Sequence, residues 1–228
     1  MDPKWLLTAM LTILLLGCAG KPVHQSRLIG YQDGKMRMIY TVALHSIPMK
    51  SGGKGYRYDF ELNYSVGNKD RLESVKQVFM NHKFEIDSSQ TRRDHNGQIT
   101  EIKLQNAADQ LSMWKKEPGQ EPLEKTINTS SPFVEPHPML YGNDLTVPGG
   151  TKTYNVFSDS KQEIVPLTIR FLGQKTLSRK NRTFPAAHYQ LESIANPGTY
   201  SDYYLDPETK DLLCIKMDPI EFWSDRFE

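Results

Sequence analysis

From Tyr56 to Val66 the chain alternates without a break, with Tyr56, Tyr58, Phe60, Leu62, Tyr64 and Val66 on one side and Arg57, Asp59, Glu61, Asn63 and Ser65 on the other. A period of two marks a half-buried strand, because successive side chains leave a pleated strand on opposite faces. Met36, Met38, Tyr40, Val42 and Leu44 repeat the pattern. Pro48 and the turn-prone run Ser51-Gly52-Gly53-Lys54-Gly55 separate the two, which predicts an antiparallel pair joined by a loose loop. Val78, Met80, Phe84 and Ile86 make a third apolar face, and a polar run ending in Asn96-Gly97 returns the chain to Ile102 and Leu104. Asn-Gly suits a tight hairpin because both residues tolerate positive φ.

The stretch 106–150 is less regular. Leu111, Met113 and Trp114 fit a short strand or a helix, and prolines at 118, 122, 132, 136, 138 and 148 interrupt the remainder, so a long irregular crossover is expected there. A structureless stretch of that length in a compact domain is usually functional, which makes it a candidate lid or partner surface. Alternation returns in five short segments: Tyr154 to Phe157, Val165 to Phe171, Ala187 to Leu191, Tyr203 to Leu205, and Leu213 to Met217. Polar turns such as Ser178-Arg179-Lys180-Asn181-Arg182 and Asp206-Pro207-Glu208-Thr209-Lys210 separate them. The pattern is a mainly β antiparallel meander with hardly any helical period.

The first residues read differently. Met-Asp-Pro-Lys precedes an apolar stretch from Trp5 to Leu16, and Gly17-Cys18-Ala19-Gly20 comes next, the order of an export signal. As a helix, roughly 12 apolar residues reach about 18 Å, short of the roughly 30 Å hydrocarbon core of a bilayer. Leu15-Leu16-Gly17-Cys18 resembles the lipobox of bacterial lipoproteins, Leu16 standing where a small residue is usual. The resemblance implies a signal peptide over 1–17, lipid on Cys18 and anchoring to a membrane by acyl chains. Ala19 after the cysteine implies the outer membrane, facing the periplasm. Residues 18–34 show no sustained period and read as the lipidated cysteine and a tether, with one β-rich domain over 35–228. Once Cys18 is lipidated, Cys214 has no partner for a disulfide, so the core must suffice unaided.

Charge excludes one class of partner. The formal net charge is +1, and neither that balance nor an export signal suits nucleic-acid binding.

In the C-terminal third, Gly149-Gly150-Thr151-Lys152-Thr153-Tyr154-Asn155-Val156-Phe157, Val165-Pro166-Leu167-Thr168-Ile169-Arg170-Phe171-Leu172-Gly173-Gln174-Lys175-Thr176 and Thr183-Phe184-Pro185-Ala186-Ala187-His188-Tyr189 stand in order, with Tyr203-Tyr204-Leu205-Asp206 after them. This series resembles the bacterial envelope domain of unknown function numbered 3108 and its relatives, with Tyr203-Tyr204 where that family often carries tryptophan. The resemblance implies a strongly curved antiparallel sheet, a half-barrel or open barrel similar to lipoprotein carriers, whose concave face holds an acyl chain or a peptide.

Candidate chemistry is sparse. The six histidines, at 24, 45, 82, 95, 137 and 188, lack the spacing of a metal site, and no metal or cofactor is expected. Ser51 with Lys54 and Ser158 with Lys161 match a Ser-x-x-Lys spacing but fall in expected hairpin loops, without the helical turn that lets a lysine deprotonate a serine. No nucleophile elbow, phosphate loop or zinc-protease motif occurs, so no catalytic residue is assigned. Arg179, Lys180 and Arg182 either meet anionic head groups or solvate a turn. Tyr40, Tyr56, Tyr58, Phe60, Tyr64, Tyr189 and Tyr203 either line an apolar ligand face or form an ordinary core. Phe222, Trp223 and Phe227 are left to cover a sheet edge or a cavity mouth. Two functions fit these features: a non-enzymatic lipoprotein that binds or carries lipid or glycolipid, and a structural or assembly factor docking on an envelope protein.

Overall fold

The computed structural model describes residues 21–227 apart from 33–35, 50–52, 67–69, 108, 130, 136–141, 143 and 194–196. Cys18, its preceding segment, Ser51 and His137 lie outside the described residues. The strands are β1 (His24–Gln32), β2 (Met36–Pro48), β3 (Lys54–Val66), β4 (Asp70–Met80), β5 (Ile86–His95), β6 (Gln98–Ala107), β7 (Gln110–Lys116) and β8 (Leu123–Asn128). After an irregular stretch come β9 (Thr151–Ser158), β10 (Glu163–Arg179), β11 (Arg182–Glu192), β12 (Tyr200–Leu205), β13 (Leu212–Met217) and β14 (Ile220–Ser224), with a final 3-10 turn over Asp225–Phe227.

The fourteen strands of the described residues form one antiparallel sheet in the order β8-β7-β6-β5-β4-β3-β2-β1-β14-β13-β12-β11-β10-β9. Every neighbouring pair but one is a sequential hairpin; the exception joins β1 to β14, so the two ends of the sheet's chain meet at its centre. Each alternating apolar face points the same way, as the period of two requires. That face carries the main core, which runs through both halves from Leu28, Val42 and Val78 to Ile169, Leu205 and Ile215, all below 2 % exposed.

The sheet is curled and open. Arg93 of β5 pairs with Asp159 in the β9–β10 turn, and Lys125 of β8 donates to the Gln162 carbonyl at 3.0 Å, although these strands are far apart in the strand order. The edges β8 and β9 are not hydrogen-bonded neighbours. The described part of 129–150 crosses the concave side between them. Ile86 N donates to the Phe133 carbonyl at 3.0 Å, Val134 N donates to Asn155 of β9 at 2.9 Å, and Phe133 is fully buried.

Four expectations are corrected. Residues 18–34 are not all tether, since from His24 onward the chain is β1, paired on both sides. Its period is hidden in the sequence because inward Ser26 and Gly30 are small: Ser26 Oγ accepts from Leu212 N at 2.8 Å, and Gly30 lies under the Phe222 ring. The crossover expected over 106–150 holds the end of β6, β7 and β8 and is irregular only from 129, because Leu111, Met113 and Ile127 supply an inward face between polar neighbours. Phe222 and Trp223 cover neither edge nor mouth; they belong to β14, in the middle of the sheet. The apolar face from Val78 to Ile86 is also divided, by a turn in which Phe84 takes φ 63°.

At Gly173, φ 106°, a bulge in β10 shifts the register against β11 and reverses which side chains face outward. Leu177, Ala186, Tyr204, Leu213, Cys214 and Trp223 thereby form a second, smaller core on the convex side. Phe227 of the terminal turn stacks on Phe184 at 4.0 Å there, and the Arg179 guanidinium lies 5.0 Å from the Trp223 ring.

Candidate functional site: an ion pair among tyrosines

The seven aromatic residues Tyr40, Tyr56, Tyr58, Phe60, Tyr64, Tyr189 and Tyr203 all face the concave side, but they are not equally enclosed. Tyr58 and Tyr189 are buried at 2 % exposure, whereas the other five are half-buried. The difference does not follow the strand axis alone, since half-buried Tyr203 lies level with buried Tyr189 and half-buried Tyr56 lies beyond buried Tyr58. At the end marked by the β2–β3 loop, Leu44, Met80, Ile86, Leu111 and Phe133 are buried and Tyr56 stacks on Phe84 at 4.4 Å, so this end is closed. Toward the β3–β4 and β13–β14 turns, Leu62, Tyr64, Leu72, Met217 and Ile220 remain half-buried, and this end is less closed.

Between the two ends lies a polar cluster. Lys76 of β4 points inward, its cross-strand neighbours being Phe60 and Thr91. Its ammonium donates to both oxygens of Glu135 at 2.9 and 2.7 Å, and the two side chains are only 19 % and 11 % exposed. Tyr40 and Tyr58 share a hydrogen bond beside the pair. Burial, reinforced at Tyr40 by Tyr203 and at Tyr58 by Tyr40, holds both phenols well above their usual range. Burial alone pushes Tyr203 up to about 12. All three hydroxyls are therefore neutral donors at physiological pH. Tyr40 packs edge-on against Phe60 at 5.1 Å and tilted against Phe222 at 6.0 Å, which fixes its ring. Tyr189 packs on Phe171 at 4.9 Å, and its hydroxyl donates to the carbonyls of Gly142 and Leu145 at 3.4 and 3.5 Å, tying the crossover to β11.

A cationic side chain inside an apolar face is costly unless paired, and breaking such a pair from one side costs roughly 3–5 kcal/mol. Sequence reasoning did not find Lys76 or Glu135. A signal for the first exists, since reading β4 back from Val78 gives Lys76, Ser74 and Leu72 on the inward register. Glu135 stands in a proline-flanked irregular stretch and carries no such signal.

The other candidates fall elsewhere. Four histidines lie against carboxylates: His24 on Asp211 at 3.7 Å, His45 on Asp59 at 3.3 Å, His95 on Asp70 at 2.7 Å and His188 on Asp202 at 2.9 Å. Among the described residues no three His, Cys, Asp or Glu side chains gather as a metal site would require. Ser158 Oγ accepts from Lys161 N at 3.3 Å, a turn contact made through the lysine backbone. Lys180 and Asn181 form a hairpin turn with φ 47° and 61°. A depression of about 640 Å³ lies on the convex face of β4 to β8, bordered by Phe79, Gln90, Lys103, Trp114 and Glu124, away from the tyrosines.

No family model and no curated protein matches the chain. Among solved structures it is similar to a beta-barrel-like protein of domain of unknown function DUF1849 from Brucella abortus, with a TM-score of 0.53 and 8 % identity over 88 % of this chain and 94 % of that one. A DUF1089 family protein from Pseudomonas aeruginosa aligns with a TM-score of 0.40 and 9 % identity, over 69 % of this chain and 82 % of that one. At such identity the first likeness is one of fold alone, a β-barrel-like one.

Proposed function

We propose that this chain is a lipid-anchored protein of the bacterial envelope that holds an apolar envelope component, such as a lipid or glycolipid, against its concave face. The observation that carries this reading is the row of inward side chains, Phe60, Leu62, Tyr64, Tyr203, Met217 and Ile220, that stay half-buried at one end of the curled sheet. Inward apolar side chains left partly uncovered are the usual lining of a small-molecule site.

The anchor in this reading is lipid on Cys18, at the outer membrane and facing the periplasm. Only residues 19–23 separate that cysteine from β1, a reach of about 20 Å when extended. β1 begins opposite Leu44, at the closed end. The open end then points away from the anchoring membrane by the length of β1, about 30 Å. Such an orientation suits passing a ligand onward more than drawing it from the membrane of anchorage.

Two measurements test the reading. Labelling cells with palmitate should mark the chain, and Cys18→Ser should abolish the label. Native mass spectrometry of the protein gently extracted from membranes should show a co-purified apolar ligand; a uniformly ligand-free protein sinks the proposal. A second reading, an assembly factor docking on an envelope protein, draws on β8, which ends the sheet and leaves Leu123 45 % exposed. Edge strands accept partner strands. Thr126→Pro should then remove cross-links to the partner without unfolding the sheet, and unchanged cross-linking would exclude this mode.

A further inference from the structure

Lys76 stands in the middle of the half-open concave face, and its charge is balanced in an unusual way. The neighbours that the sheet gives it, Phe60 on β3 and Thr91 on β5, are uncharged. The carboxylate that neutralises it arrives from outside the sheet, on the irregular crossover, where Val134 N bonds to β9 and Phe133 is buried. A counterion supplied by a crossover can be exchanged while the strands stay paired. A permanent ion pair would more simply be built across two strands.

The geometry is that of a seat for a carboxylate. Both Glu135 oxygens lie within hydrogen-bond distance of Nζ, at 2.7 and 2.9 Å, and neutral hydroxyl groups on Tyr40 and Tyr58 stand beside them. Above the pair, toward the less closed end, the wall is apolar: Leu62, Leu72, Met217 and Ile220. One cation matches one negative charge. A doubly charged phosphate would leave charge uncompensated, because the sheet neighbours of Lys76 are neutral.

We infer that Lys76 is the seat for the head of a carboxylate-bearing amphiphile, that the ligand's chain lies along the apolar wall, and that Glu135 occupies the seat as an internal surrogate until the ligand displaces it. This assignment rests on the concave-face binding reading and names its ligand class. Exchange breaks the two contacts from Lys76 to Glu135 and makes equivalent ones to the incoming carboxylate, with no net change in charge at Lys76. Glu135 leaves the seat by side-chain rotation, its backbone held by the Val134 bond to Asn155.

The test uses the full chain in a non-ionic detergent with two probes of equal length, oleate and oleyl alcohol, counted as retained adducts by native mass spectrometry. Wild type should retain oleate over oleyl alcohol by only a few-fold, because the incoming carboxylate replaces equivalent contacts to Glu135. Glu135→Gln should raise oleate retention by about tenfold more, since the internal competitor is gone. Lys76→Arg should keep the preference and Lys76→Gln should erase it while oleyl alcohol stays bound. Should Lys76→Gln fail to fold, the double variant Lys76→Gln/Glu135→Gln removes both charges together and should show no preference. Equal retention of the two probes by wild type, or a preference that survives Lys76→Gln or the double variant, overturns the assignment of the head-group seat alone. Retention of neither probe by wild type and every variant overturns the binding reading itself.

Discussion

A Cβ on Gly30 would lie 2.7 Å from Cδ1 and 2.9 Å from Cε1 of Phe222, so the seam between β1 and β14 closes only because residue 30 has no side chain. The contact joins the first described strand of the chain to the last, side by side near the middle of the strand order. Gly30→Val should therefore destabilise the protein by about 1–3 kcal/mol, the usual result of overpacking a filled site. Urea denaturation checks this, and adding Phe222→Leu should restore part of the loss by making room for the new methyl groups.

Phe133 anchors the crossover inside the curl. Phe133→Ala should cost roughly 3–5 kcal/mol by leaving a cavity among residues that pack from several strands. Pro118→Ala, in the exposed β7–β8 turn, should change stability by less than about 0.5 kcal/mol. Denaturant midpoints of the two variants separate a buried plug from a surface loop.

Burial pushes the Cys214 thiol up to about 12, Lys216 opposing it, with the residue fully enclosed on the convex side. Because the folded value lies above the unfolded one, the contribution to stability is complete below about pH 8.5 and is lost as pH rises toward 12. At pH 8 the native thiol should resist iodoacetamide, and the peptide containing Cys214 should be labelled only after denaturant is added. Rapid native labelling would contradict its enclosure.

Asp70 accepts from His95 at 2.7 Å, from Asn96 at 3.2 Å and from the Tyr64 hydroxyl at 3.4 Å. The His95 bond above all holds its carboxyl below the usual range. A lowered value stabilises the folded state above the ordinary carboxylate range, and this is lost as pH falls through the folded value. A carboxyl-detected NMR titration should place Asp70 below an unperturbed aspartate, and His95→Ala should move it upward. No movement would assign the shift to other neighbours.

Period-two alternation, by itself, identified β2, β3 and most of the C-terminal strands, and Asn96-Gly97 marked a hairpin in which both residues have positive φ. These features are local: the pleat sets the period, and a tight turn needs particular residues. The shared face of Tyr40, Tyr56, Tyr58, Phe60 and Tyr64 was legible for the same reason, whereas only the structure separates inward Tyr203 from Tyr204 in the convex core. β1 was not, since Ser26 and Gly30 are small for the sake of Leu212 and Phe222, residues nearly two hundred positions away. Nor could alternation assign β14 to the sheet centre, because a strand's own pattern says which face is buried but not which strand lies beside it. The ion pair belongs to the same class. Lys76 reads as a solvated lysine and Glu135 as a loop residue until the curl of the sheet and the inward crossover bring them together. The sequence determined strands and the side each shows to the core. Only the tertiary structure decided which strands meet and which charge answers Lys76, because those depend on contacts between segments distant in the chain.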